Sequence, residues 1–217
     1  MPGVLCFGDS NTHGTQAMRF WGDRRRFARE ARWPDVMARE LGAGWDVIAE
    51  GHPGRTAVFD DPIEGSHKNG QRALPVLLES HRPLDLVVVM LGTNDLKARF
   101  GVSATDIALG IERLVQDISR SDAGPDGNAP TVIIAAPAGA TETGIFEEIF
   151  AGAAAKSRAL PAILEQMATR HGVGFFNAGS VAEVDPVDGI HLSAQAHEAI
   201  GRAMADTVRK QLNTQEE

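Results

Sequence analysis

The 217-residue sequence holds a single cysteine, Cys6, so it has no means of forming an internal disulfide. Cys6 lies in the first apolar run, where a free thiol behaves as a small hydrophobe, and this suits a reducing compartment. No apolar run is longer than a strand, so no membrane-spanning helix is expected. Met1 to Phe7 lead straight into a turn, without the charged, apolar and small-residue succession of a secretory signal, and a cytoplasmic protein is expected. Also missing is any basic stripe interleaved with aromatics. The net charge is -8, so neither nucleic acid nor an anionic membrane is expected as a partner. Arg24-Arg25-Arg26 is the local exception and reads as a solvated arm or an inter-subunit contact. Neither Gly-x-x-x-x-Gly-Lys nor a Gly-x-Gly-x-x-Gly after a strand occurs, which disfavours nucleotide cofactors, and none of any kind is expected. Gly-x-Ser-x-Gly is absent too, which argues against an ordinary α/β-hydrolase.

What is present is an alternation of short apolar runs with helical periodicity, the pattern of a parallel sheet covered on both faces. Strands are expected at Val4–Phe7, Asp46–Glu50, Leu84–Leu91, Thr131–Ala136 and Val173–Phe176. Leu86-Val87-Val88-Val89-Met90-Leu91 is apolar without alternation, as a strand buried on both faces must be, and is expected to be central. Helices are expected from Pro34 to the stop at Gly42, over Leu74–Ser80, from a Ser103/Asp106 cap, along Leu160, Ile163, Leu164 and Met167, and from Ser193 onward. The whole chain reads as one three-layer α/β/α domain with a mostly parallel five-stranded sheet in flavodoxin-like order, ending in a polar tail from about residue 213. Three stretches, 15–32, 56–71 and 137–156, do not fit the alternation. Long irregular segments of this kind are usually functional loops or interface elements.

The chemistry gathers in four short motifs, in chain order Phe7-Gly8-Asp9-Ser10-Asn11, Gly51-His52-Pro53-Gly54-Arg55-Thr56, Leu91-Gly92-Thr93-Asn94-Asp95 and Asp188-Gly189-Ile190-His191. A serine hydroxyl is a poor nucleophile at neutral pH and needs a base, held in turn by a third group. Ser10, His191 and Asp188 fit those parts. The backbone amides of Ser10 and Gly54 and the side-chain amide of Asn94 are candidate donors to a developing oxyanion. Taken singly, Ser10 reads as a helix cap, and Asp188 and His191 as turn and loop residues; the constellation reverses that. Asp185, Asp188 and His191 as metal ligands rank well below the triad, because no further His or Cys has fitting spacing.

These motifs resemble the blocks of the SGNH, or GDSL-like, hydrolase superfamily, with Ser10, Gly54, Asn94 and the Asp188/His191 pair on its motif positions. The stretches around them, together with Asp106 to Gly110 and Asn177 to Ser180, are similar to the mycobacterial arylesterase and acyltransferase branch. The resemblance implies hydrolysis of short-chain aryl esters, acyl transfer to alcohols or peroxide, a homo-oligomer of eight subunits and no cofactor. Asn11, Thr93, Lys97, Phe146, Phe150 and Ile190 are expected to border the substrate, Lys97 at the rim. Phe146 and Phe150 read first as core, with a substrate wall or subunit contact given equal weight because they follow the fourth strand. The chain departs from the pattern at Pro53, at Asn11, which replaces an apolar residue, and at Thr15, where the acyltransferase branch has a bulky aromatic. A roomier, more polar entrance makes hydrolysis the more secure expectation than transfer. A carbohydrate deacetylase and a thioesterase or lysophospholipase are the alternatives on the same site, and a catalytically silent binding protein the alternative from another class. Asp9, Asp95 and Arg55 are expected to be structural.

Overall fold

A computed structural model describes residues 1–213, so nearly all of the tail expected from about residue 213 lies outside the described residues. Five strands, β1 (Gly3–Gly8), β2 (Asp46–Gly51), β3 (Leu86–Met90), β4 (Thr131–Ala136) and β5 (Gly174–Asn177), form an all-parallel sheet in the order β2-β1-β3-β4-β5. The expected strands are all present, and β3 is shorter than expected at both ends. Leu84 leaves the ladder by donating its N–H to the Ala123 carbonyl.

The side-chain period of two sorts each strand between two cores. Leu5, Phe7, Val87, Val89, Val132 and Ile134 pack with Leu74 of α3 (Gly70–His81), Ile107, Ile111 and Leu114 of α4 (Ala104–Ser119), and Leu160 and Leu164 of α5 (Ala153–His171). Val4, Cys6, Leu86, Val88, Met90 and Ile133 face the other way, onto Trp33 and Met37 of α2 (Trp33–Leu41) and Ile200, Met204 and Val208 of α6 (Ala194–Asn213). Each fully buried side chain of this size contributes roughly 1.5–3 kcal/mol of transfer free energy, which is why the apolar pattern fixes the layers.

Helix ends follow their caps. Ser103 Oγ accepts from Asp106 N at 3.1 Å while Asp106 Oδ2 accepts from Ser103 N at 2.8 Å, the reciprocal box that the sequence predicts. Ser193 Oγ accepts from Ala196 N at 3.2 Å at the start of α6. Two helices begin earlier than their apolar stripes: α3 at Gly70, where Asn69 Oδ1 accepts from Gln71 N at 3.0 Å, and α5 at Ala153. Both carry an internal proline, Pro75 and Pro161, which obscures their sequence periodicity.

Strand order places the site. The chain leaves β1 for β2 on one side and returns to β3 on the other, so the connections diverge and a crevice opens beyond the carboxyl ends of β1 and β3. Ser10 follows β1 and Asn94 follows β3. No helix of the described residues is long and apolar enough to cross a membrane.

Candidate active site

Ser10 opens α1 (Ser10–His13), a single turn entered directly from β1. The turn is tight enough that a Cβ on Gly8 would fall 2.0 Å from Thr12 Oγ1, so only glycine fits there. Asp9 Oδ1 accepts from Asn11 N at 2.9 Å and closes the turn. Asn11 is buried. Its Nδ2 donates to the Ile190 carbonyl at 3.1 Å and its Oδ1 accepts from Leu192 N at 3.1 Å, so a buried amide bolts the loop carrying His191 onto α1. A polar residue replaces the apolar one expected after the serine because it is tied to backbone 179 and 181 residues away.

The loop at 185–192 is stiffened from within. Asp185 N donates to the His191 carbonyl at 2.7 Å and Gly189 N to the Asp185 carbonyl at 2.9 Å. The Asp185 carboxylate turns to Val187 N at 2.9 Å. Asp188 is fully buried. Its Oδ1 accepts from Ile190 N and His191 N, both at 3.0 Å, and its Oδ2 faces His191 Nδ1 at 2.6 Å and accepts from Met18 N at 2.7 Å. Burial by itself would raise this carboxyl, but the hydrogen bonds and the imidazole outweigh it and hold Asp188 below the ordinary carboxylate value.

Gly54 has φ +82°, a left-handed conformation, in the turn after β2. Arg55 behind it is buried and structural: Nη1 donates to the Gly8 carbonyl at 2.8 Å and the Glu50 carbonyl at 2.5 Å, and the guanidinium lies 4.4 Å over the Phe7 ring. Burial pushes it down to about 10. Asn94 Nδ2 donates to Asp9 Oδ2 at 3.3 Å, which ties the loops after β1 and β3 together. Asp95 receives Ala57 N on both oxygens, at 2.9 and 3.2 Å. Burial raises Asp9 to about 6, and burial with the neighbouring Asp9 charge raises Asp95 to about 7. Both carboxyls serve turn amides.

Ser10, Gly54, Asn94, Ile190 and His191 line one cavity of about 480 Å³. Phe146 and Phe150 form part of its wall, and Phe150 is at the same time a buried member of the core against which Phe146 packs. The Phe146 ring stands 6.0 Å from His191, 5.9 Å from Phe150 and 5.6 Å, edge-on, from Trp21. Lys97 also lines the cavity, but not at the rim as expected. It is buried, with Nζ 2.5 Å from Glu64 Oε1 and 3.5 Å from Asp61 Oδ2. Thr93 is buried off the wall, and its hydroxyl has no hydrogen-bond partner among the described residues.

Sequence reasoning missed Met18, Trp21, Ile63, Glu64, Lys68 and Arg99 on the same wall. Five of the six sit in the irregular segments 15–32 and 56–71, whose irregularity was the only signal. Arg25, within the triple-arginine run, is exposed like its two neighbours and is also anchored. It pairs with the buried Asp23 carboxylate at 2.9 Å, donates to the Ala17 carbonyl at 2.7 Å and so closes the loop that carries Met18 and Trp21.

Comparison with known proteins agrees with this geometry. A carbohydrate acetylesterase from Sinorhizobium meliloti superposes with TM-score 0.92 at 39% identity, covering 97% of this chain and 99% of that one. The native aryl esterase of M. smegmatis gives TM-score 0.92 at 39% identity over 97% of this chain and 100% of that one. A lipase/acylhydrolase from Enterococcus faecalis, 20% identical with TM-score 0.67 over 97% of this chain and 96% of that one, shares the fold. A comparison with curated proteins returned no match. The model of the GDSL-like lipase/acylhydrolase family matches residues 6–199, and with the α/β fold of the SGNH hydrolases and its esterase neighbours this chain belongs to that family of carboxylic ester hydrolases.

Proposed function

We propose that the protein is a serine esterase that hydrolyses short-chain acyl esters through an acyl-enzyme. The observation that carries this reading is the placement of His191, whose Nδ1 is fixed 2.6 Å from the buried Asp188 carboxylate, on one cavity wall with Ser10, Gly54 and Asn94. With Nδ1 held by Asp188, Nε2 is the ring nitrogen left to take the Ser10 proton as Oγ attacks the ester carbonyl. The Ser10 and Gly54 N–H groups and the Asn94 side-chain amide then receive the oxyanion. The Nε2 proton passes to the leaving alcohol, and His191 next activates water, or an added alcohol or peroxide, to release the acyl group. No step calls for a cofactor.

The short-acyl, aryl or carbohydrate preference is supported by the neighbours described as an aryl esterase and a carbohydrate acetylesterase. Thr15 on the cavity wall supports hydrolysis over transfer, because a small polar side chain leaves room for water. A homo-oligomer belongs to the same proposal: Phe20 and Trp21 are more than half exposed on the loop over the cavity, and Ile63 is 77% exposed opposite. Sedimentation as a monomer at working concentration would end that part.

Intact-protein mass spectrometry during turnover of an aryl acetate, wild type beside Ser10→Ala, tests the mechanism. An acetyl adduct confined to wild type, with turnover lost in the variant, is expected. Unchanged turnover in Ser10→Ala overturns it, and failure of Ser10 to react with a fluorophosphonate would favour a silent binding protein. A matched chain-length series that peaks at long acyl groups would favour a thioesterase or lysophospholipase.

A further inference from the structure

Three cations line the cavity, Lys68, Lys97 and Arg99, and two of them are matched. Lys97 is held by Glu64 and Asp61, and Arg99 Nη1 lies 3.1 Å from Asp61 Oδ1. Lys68 has no carboxylate within ion-pair distance among the described residues. Its Nζ donates to the Pro53 carbonyl at 2.9 Å and meets His52 Nε2 at 3.3 Å. Both partners are neutral at neutral pH, since burial and the cations around it push His52 down to about 4. Three cations against the two carboxylates Asp61 and Glu64 leave one positive charge over, and it sits on Lys68.

The position of that charge gives it meaning. A Cβ built on Gly54 would lie 3.2 Å from Lys68 Cε, so the lysine stem runs beside the backbone amide assigned to the ester oxygen. Apart from Glu64, which is held by Lys97, the wall includes Met18, Phe146 and Phe150, which offer the ammonium no anion. Glu64 and Asp61 act on Lys68 only from beyond ion-pair distance, being in contact with Lys97 and Arg99; a cation with no contacting carboxylate of its own, in a partly apolar cavity that focuses its field, attracts one negative charge.

We propose that Lys68 is an anion subsite, and that the preferred esters carry one carboxylate a few bonds from the ester carbonyl. The proposal rests on the serine esterase reading above. A monoanion neutralises the surplus without displacing Glu64 from Lys97, and a neutral ester leaves Lys68 unmatched.

The test compares kcat/KM for two matched pairs of esters: phenyl acetate against 3-carboxyphenyl acetate, and phenyl butanoate against phenyl hydrogen succinate. Wild type, Lys68→Met and Lys68→Arg are assayed at low and high salt, with thermal melting as a check on folding. In at least one pair Lys68→Met is expected to lower the rate on the anionic ester about tenfold more than on its neutral partner. Lys68→Arg should restore it, and salt should depress only the anionic rate. Equal losses on neutral and anionic esters would overturn the proposal and assign Lys68 to the reacting carbonyl or to holding Pro53. No loss on either would also overturn it and leave a solvated cation. If wild type fails on the neutral esters, or Ser10→Ala retains their turnover, the esterase reading falls first.

Discussion

Met18 N donates to Asp188 Oδ2 at 2.7 Å, the same oxygen that faces His191 Nδ1 at 2.6 Å. A loop near the beginning of the chain thus completes the environment of a carboxylate near its end. The hydrogen bonds to Asp188, from four different groups, orient it and keep it ionised. Asp188→Asn would turn an amide toward His191 and favour the wrong tautomer. We expect kcat to fall by roughly 1000- to 10,000-fold with little change in KM, measured on an aryl acetate.

Asp23 is expected to act on catalysis from a distance. Its buried carboxylate binds Arg19 and Arg25, both at 2.9–3.0 Å, and so shapes the loop that presents Met18 N to Asp188. Asp23→Asn should lower kcat about tenfold. The loss should fall on kcat with little change in KM, because Met18 N orients Asp188. A rise in KM with kcat unchanged would mean that Asp23 only shapes the cavity wall.

Asn94→Ala removes a side-chain donor without touching the sheet, and a drop in kcat of about 100- to 1000-fold is expected. Gly54→Ala tests the backbone donor. The φ of +82° strains any side chain there, and the new Cβ would meet Glu64 Oε2 at 2.5 Å. Activity should fall far more than stability, whose loss should be about 1 kcal/mol by urea unfolding. Wild-type activity in Gly54→Ala would remove it from the oxyanion site.

Asp95 contributes a stability that is lost toward alkali. Its carboxyl is raised to about 7, well above its unfolded value near 4, so between those pH values the folded state binds more protons than the unfolded one. Stability from this group is therefore present at low pH and declines as pH rises through about 7. Asp95→Asn keeps an acceptor for Ala57 N and cannot ionise. Urea unfolding should show the variant gaining on wild type from pH 5 to pH 8, and a constant difference would refute the assignment.

Much of the fold was legible in the sequence because burial leaves a periodic mark. Five apolar runs gave five strands, the unalternated run at Leu86–Leu91 marked the centre, and the Ser103/Asp106 and Ser193 caps marked helix starts. Helix starts at Gly70 and Ala153 were not legible, since Pro75 and Pro161 interrupt the pattern and, at Gly70, a local asparagine cap sets the boundary.

At the site, the sequence by itself determined which chemistry-bearing residues exist: Ser10, Gly54, Asn94, Asp188 and His191 sit at the ends of strands or before a helix, and local turn geometry fixes each of those positions. Only the tertiary structure decided what stands around them. Asn11 turned from the substrate to the backbone of Ile190 and Leu192, Lys97 withdrew from the rim to Asp61 and Glu64, and Met18, Trp21 and Lys68 arrived on the wall from irregular loops. The physical reason is that these partners are long-range. Their hydrogen bonds and ion pairs close only after the parallel sheet has brought distant loops to one edge, and such contacts leave no period in the chain.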